Sequence, residues 1–178
     1  MCARLTNGFA VCSRLTRNVR RQSMSTATDN RATFVLAAIR RHSMDATEWR
    51  ETSIAELRRP LIDRVQLQDG EAVLVSFFES ETDWYVFTSH RVLGVSGGNS
   101  YEAGVDSICE YELDQFKLPE GRAGAFHLRL VLSDGSKLKL KSEAGKASMA
   151  PIYFLRTFQQ LRKRAEQVAA RDARNARA

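Results

Sequence analysis

The sequence is poor in the residue types that build disulfide frameworks and metal centres. Its 178 residues include three cysteines and three histidines. Cys2, Cys12 and Cys109 form no Cys-x-x-Cys pair and have no histidine at a metal-ligand spacing. We therefore expect free thiols in a reducing compartment and no metal site.

Long apolar runs are also missing. The run at 34–39 has six residues, whereas a helix needs roughly 20 to cross a bilayer. A transmembrane segment is therefore not expected.

The motifs of common enzyme classes are absent too. The sequence has no Gly-x-Ser-x-Gly elbow, Walker loop or His-Glu-x-x-His pair, and its histidines fall on unrelated elements. The glycine-rich stretch 94–98 follows a predicted strand and precedes no clear helix, so it is not expected to cradle phosphate. We predict a protein that is not an enzyme and needs no cofactor.

Positive charge is present, but it is concentrated at the ends of the chain. The net charge is +6, yet residues 1–23 contain five arginines and no acid, and residues 156–178 contain seven basic residues and two acids. The body between them is consequently acidic, which argues against a nucleic-acid partner.

The leading segment has two interpretations. Its arginines, serines and threonines suit a mitochondrial transit peptide, whereas Met24 begins a sequence typical of a natural N-terminus. We favour Met24 as the start and a cytoplasmic location, with the mitochondrial matrix as the alternative. Residues 1–28 are expected to form a disordered basic extension.

Residues 29–68 have helical signals. A first helix is expected to reach about His42, with apolar residues on one side. Capping-box spacings at Asp45 and Ser53 predict two more short helices, the last of which ends or kinks near Pro60.

A sheet is predicted over residues 69–142. Short β-branched and aromatic runs alternate with turn signals such as Asp69-Gly70 and Asp134-Gly135. The six predicted strands cover residues 72–78, 84–88, 91–96, 107–118, 126–132 and 137–141. About six or seven strands joined mostly by short turns indicate an antiparallel sandwich or partly open barrel.

Alternation along the later strands predicts a charged outer face. Its acidic members lie on one strand, its lysines on another, and an arginine on the strand between them. The predicted interaction surface consists of Glu110, Glu112, Asp114, Arg129, Lys137, Lys139 and Lys141. The alternative is that these charges only provide solubility and protect a strand edge. A carboxylate active site is not expected, because neighbouring acids lie roughly 7 Å apart on an open face.

The C-terminal segment predicts an amphipathic helix that caps the sheet. Pro151 suits a first turn, and a stripe from Phe154 through Phe158 to Val168 follows at helical spacing. The domain is expected to span 69–168, and residues 169–178 to form a basic tail.

Three segments resemble the bacterial pleckstrin-homology-like (PH-like, GRAM-like) domain family. They are Asp69-Gly-Glu71, Trp84-Tyr-Val-Phe-Thr-Ser-His-Arg-Val-Leu93 and Leu132-Ser-Asp-Gly-Ser136. In the second, Thr88 and Arg91 hold the places of the Thr and Arg that flank the family's tight hairpin.

The resemblance covers residues 69–165 and implies a binding scaffold without catalytic residues, often self-associating. It does not imply phosphoinositide binding, because the first hairpin carries Glu79, Glu81 and Asp83 where lipid-binding members place basic residues.

The sequence thus predicts a non-catalytic module that binds a protein or peptide and self-assembles as a homo-oligomer. Two alternatives stay open: a small bacterial immunity protein that neutralises an effector, and a peripheral membrane adaptor that uses the basic tail.

Overall fold

The computed structural model describes residues 30–43, 46–114 and 125–176. Helix α1 covers residues 30–42, and helix α2 covers Met149–Asn175. Between them the described residues form eight strands: β1 Thr52–Ile54, β2 Val73–Ser80, β3 Asp83–Thr88, β4 Arg91–Ser96, β5 Asn99–Gly104, β6 Ile108–Asp114, β7 Ala125–Leu132 and β8 Lys137–Glu143.

The strands form two antiparallel sheets. Sheet A has the order β1-β2-β3-β4-β5, and sheet B has the order β6-β7-β8. Neighbouring strands are sequential along the chain; two-residue turns join β2 to β3, β3 to β4 and β4 to β5, whereas 18 residues separate β1 from β2. The prediction of a mainly β protein capped by a C-terminal amphipathic helix is confirmed, with eight strands and with two sheets that do not close into a barrel.

A chain of aromatic rings crosses the main core from sheet A to α2. Tyr85 lies 5.0 Å from Phe77 and 4.8 Å from Phe87, measured between ring centroids. Phe87 lies 4.7 Å from Phe154, which in turn lies 4.7 Å from Phe158. Because aromatic rings contribute large buried areas at these spacings, this chain holds α2 against the sheet.

The second and third predicted N-terminal helices are wrong. Ala46–Glu48 is a single 3₁₀ turn, and Ser53 lies in β1, where it pairs with Ser76. The left-handed φ of 62° at Ala55 ends the strand, and Arg59–Leu61 makes another 3₁₀ turn with Pro60 in its first residues.

The apolar spacing that suggests a helix after Ser53 has a different origin. Leu61 and Val65 pack against Val86 on the face of sheet A that points away from the main core. An exposed ion pair also joins Arg64 of this segment to Glu81. Packing on the sheet therefore replaces the helix that the spacing indicates.

Strand β5 differs from the prediction, because its residues lie in none of the six predicted strands. It pairs with β4 along its whole length, and Tyr101 lies opposite Gly94. The side chain of Tyr101 covers the glycine and supplies the packing that the glycine lacks.

Helix α2 is longer than predicted. The expected basic tail after residue 168 is helical as far as Asn175. The predicted stripe is buried at Phe154 and Phe158, but Ala165 and Val168 are exposed. In the described part of the chain, no helix is long and apolar enough to span a membrane.

Some predictions fall outside the described residues. These are the expected extension at 1–28, the capping residue Asp45, the end of the fourth predicted strand at 115–118 and the last two residues of the tail.

Candidate functional site

The structure places the seven predicted surface residues on the outer face of sheet B, as alternation requires. Strand register sets Glu112 beside Arg129 and Arg129 beside Lys139. Glu110 and Lys137 flank Val131 in the same way, while Asp114 and Lys141 flank His127. Their role as an interaction surface stays a prediction.

The charges on this sheet B face largely neutralise one another. Arg129 lies 2.5 Å from Glu112 and 3.3 Å from Asp114. Lys137 lies 3.4 Å from Glu112, and Lys141 pairs with Glu79 at 2.5 Å. Hydrogen bonds from Arg129 and Lys137 lower the pKa of Glu112, and the bond from Arg129 has the larger effect. A carboxylate with a lowered pKa is a poor proton donor, so the arrangement does not suit acid catalysis.

Replacing Arg129 by Met is expected to leave the thermal unfolding midpoint unchanged within the reproducibility of the measurement. The ion pairs of Arg129 lie on a solvated face, where Coulomb attraction is weak and ordering two side chains costs entropy. Differential scanning calorimetry of both proteins at neutral pH measures the midpoint. A clear loss of stability would show that these ion pairs hold sheet B together.

An open apolar groove lies between α1 and β2 and has a volume of about 870 Å³. We call it the α1–β2 groove; it is lined by Ala32, Thr33, Leu36, Ala55, Glu56, Leu57, Ile62, Leu67, Ala72, Val73 and Leu74. Ile62 is 57% exposed and Leu67 is 41% exposed. Phe34, next to the lining residue Thr33, is 65% exposed.

The exposure of Ile62 follows from the turn at Arg59–Leu61. Leu61 is fully buried against sheet A, and its neighbour Ile62 points the other way. Successive residues of a 3₁₀ turn are about 120° apart around its axis, so these two side chains face different directions. The Leu-Ile pair after Pro60 is therefore a sequence signal for an apolar surface, one that the helical interpretation of this segment conceals.

A buried ion pair fixes the part of the groove wall that carries Leu67. The carboxylate of Glu71 accepts hydrogen bonds from Arg91 Nε at 2.9 Å and from the Gln68 backbone N–H at 2.7 Å. Arg91 also donates to the carbonyl oxygen of Gln66 at 2.7 Å. These bonds hold both neighbours of Leu67, so its exposed position is built into the fold.

The Glu71 carboxylate stays ionised in this setting. Burial alone would raise its pKa, but hydrogen bonds from Arg91, Thr88 and Gln68 outweigh burial and lower it. The charged form of Arg91 is stabilised as well: its pKa is raised, and the largest cause is the hydrogen bond to Glu71. The Thr and Arg of the predicted hairpin signature thus form a structural clamp.

A charged cleft of about 520 Å³ lies beside β1 and β8. Within it, Glu143 accepts hydrogen bonds from the backbone N–H groups of Arg50, Glu51 and Thr52 at 2.9, 3.1 and 2.9 Å. The carboxylate therefore anchors β1. The pKa of Glu51 is raised, mainly by burial and to a smaller extent by repulsion from Glu143 and Glu79.

In the described ranges, no three His, Cys, Asp or Glu residues form a group that could hold a metal ion.

No family model matches this chain, and searches of curated proteins and of solved structures also find no match. The PH-like resemblance of residues 69–165 therefore stays a prediction, and the groove is the candidate site that the geometry itself provides.

Proposed function

We propose that this chain is a non-catalytic, PH-like binding module that holds a segment of a protein in the α1–β2 groove. The observation that carries the proposal is the exposure of Ile62 and Leu67 on the walls of one groove. Covering such side chains is favourable by about 25 cal/mol per Å² of apolar area. Clustered exposed apolar residues accordingly mark interaction sites.

The groove favours an amphipathic partner segment with basic flanks. Its described lining is apolar apart from Glu56 and the hydroxyl of Thr33. A helix that lays one apolar face into a groove meets this requirement, because its backbone groups are already paired. A basic residue at the edge of that helix can lie beside Glu56, the one charged residue in the described lining.

The sheet B face is a weaker candidate for binding. Its arginine and most of its acids and lysines are already paired with one another or with Glu79. A partner would have to replace those ion pairs at a desolvation cost. The groove offers apolar area without such a cost.

Substitution of Ile62 by Asp tests the groove as the binding surface. Tagged full-length chain in native cell extract is expected to elute from a sizing column in a complex larger than one 20.1 kDa chain. Ile62→Asp is expected to shift elution to the single chain, because a carboxylate in the groove opposes an apolar partner. Lys139→Asp, an exposed change on the sheet B face, is expected to leave the complex intact.

Circular dichroism of both variants controls for folding. Both are expected to keep the wild-type spectrum, because both sites are exposed. Elution of the wild-type chain as a monomer, or loss of the complex in Lys139→Asp alone, would contradict the proposal.

A further inference from the structure

The outer half of α2 carries a narrow apolar stripe among charged residues, and nothing covers that stripe in the described part of the chain. In residues 163–175, which we call the α2 extension, every residue is exposed, and Val168 is 59% exposed. The stripe that buries Phe154 and Phe158 continues into this extension through Ala165. The pattern that packs α2 on the core therefore continues beyond the body of the molecule.

A helix of this length gains stability from packing. The extension has 13 residues and is about 20 Å long at 1.5 Å per residue. It continues from the packed part of a 27-residue helix, so its first turn is already formed, but its own residues gain nothing from tertiary packing, the main source of helix stability in proteins. An amphipathic extension without contacts is thus suited to dock on another surface.

We propose that the α2 extension of one copy packs in the α1–β2 groove of a second copy, and that the exchange is reciprocal. The inference rests on the proposed function, since it names the protein segment that the groove holds. The two surfaces are complementary in apolar character: the extension presents Ala165 and Val168, and the groove presents Ile62 and Leu67.

The charges of the two surfaces are complementary as well. The extension carries two acids, Glu166 and Asp172, and Glu166 already lies 3.7 Å from Arg162. Its basic residues outnumber them: Lys163, Arg164, Arg171 and Arg174. The described groove lining carries the opposite sign, in Glu56.

The positions of groove and extension suit a two-fold exchange. Helix α1 forms one groove wall and packs against α2: the Arg31 guanidinium lies 5.2 Å from the centre of the Phe158 ring, and His42 stacks on Tyr153 at 4.0 Å. The two helices therefore run antiparallel, and the start of α1 lies near the point where the extension leaves the body. With both surfaces in one region, a single two-fold axis can bring each extension to the other copy's groove.

Sedimentation velocity of the purified full-length chain tests the exchange. We expect a species of about twice 20.1 kDa for the wild type. Val168→Asp and Ile62→Asp alter the two sides of one contact, so each is expected to weaken the dimer at least tenfold. Lys139→Asp is expected to leave it unchanged.

A mixture of the two variants identifies the contact. The Val168→Asp chain keeps an intact groove, and the Ile62→Asp chain keeps an intact extension. One of the two contacts is native in their heterodimer, and a second aspartate costs little in a contact that the first has already broken, so mixing is expected to give dimers at concentrations where each variant alone is monomeric.

A monomeric wild type, variants that dimerise like the wild type, or a mixture that stays monomeric would overturn the exchange. If the purified chain is a monomer but forms an Ile62-dependent complex in native extract, the proposed function stands and the exchange fails. If neither assembly forms, both fail.

Discussion

Replacing Arg91 by Met is expected to lower the free energy of unfolding by about 3–5 kcal/mol, the usual cost of leaving a buried charge without its partner. The side chain of Glu71 has no exposed surface, and that of Arg91 is 14% exposed. Arg91 donates two of the hydrogen bonds that keep the carboxylate ionised, at 2.9 and 3.0 Å. Methionine fills similar space but provides neither charge nor donors. Urea unfolding at pH 7 measures the difference.

The pH dependence of this loss has a definite sign. In the wild type the pKa of Glu71 is lowered from the ordinary glutamate value of 4.5. The clamp therefore contributes stability above pH 4.5, and that stability is lost as pH falls through the lower folded pKa. Without Arg91, the strongest of the contributions that lower the pKa is lost, so the folded pKa rises. The deficit of Arg91→Met should accordingly shrink as pH is lowered from 7 towards 4.5. A deficit under about 1 kcal/mol at pH 7, the range of exposed ion pairs, would contradict a buried clamp.

Replacing Gly94 by Ala is expected to destabilise the fold by about 3 kcal/mol, the upper part of the usual range for overpacking a core. A Cβ atom at this position would lie 2.6 Å from Tyr101 Oη and 2.8 Å from Tyr85 Cα, and it would overlap the carbonyl oxygen of Trp84. Two of these atoms belong to the backbone of β3, so they cannot move without disturbing the β3–β4 pairing.

Gly104→Ala is the matched control for this substitution. A Cβ atom there meets nothing within 4 Å, and the φ of −62° suits any residue. Alanine at this site is expected to leave stability unchanged or to raise it by up to about 1 kcal/mol, because it restricts the unfolded chain. Chemical unfolding of both variants measures the contrast. Equal stability of the two would show that Tyr101 does not require a glycine beneath it.

A strand can be predicted from the sequence when its own residues favour a strand and turn residues mark its ends. The predicted bounds of β4 agree with the observed ones, since β-branched residues and a tight turn define that strand. Strands β1 and β5 are not predicted, because they depend on hydrogen bonding to the strands beside them and not on a pattern in their own residues. β1 has three residues, held by β2 and by the Glu143 carboxylate, while the Ser- and Gly-containing β5 depends on pairing with β4.

The groove could not be predicted from local patterns, because three separate parts of the chain form its walls. These parts are α1, strand β2 and the segment that connects β1 to β2. Periodicity assigns Ile62 and Leu61 to the same helix, whereas the turn at Arg59–Leu61 directs them to opposite sides. The charged sheet B face, in contrast, follows directly from strand alternation. Its neutralisation by Arg129 depends on the register between β6 and β7, which alternation alone does not fix.

Site-directed photocrosslinking tests most directly whether the groove, and not the charged face of sheet B, is the binding surface. A photoreactive phenylalanine derivative placed at Leu67 is compared with the same group at Lys139, in the full-length chain and in native extract. Both positions are exposed. We expect one discrete protein adduct from position 67, lost when Ile62→Asp is added, and none from position 139. An adduct from position 139 with none from position 67 would contradict a groove-based binding surface.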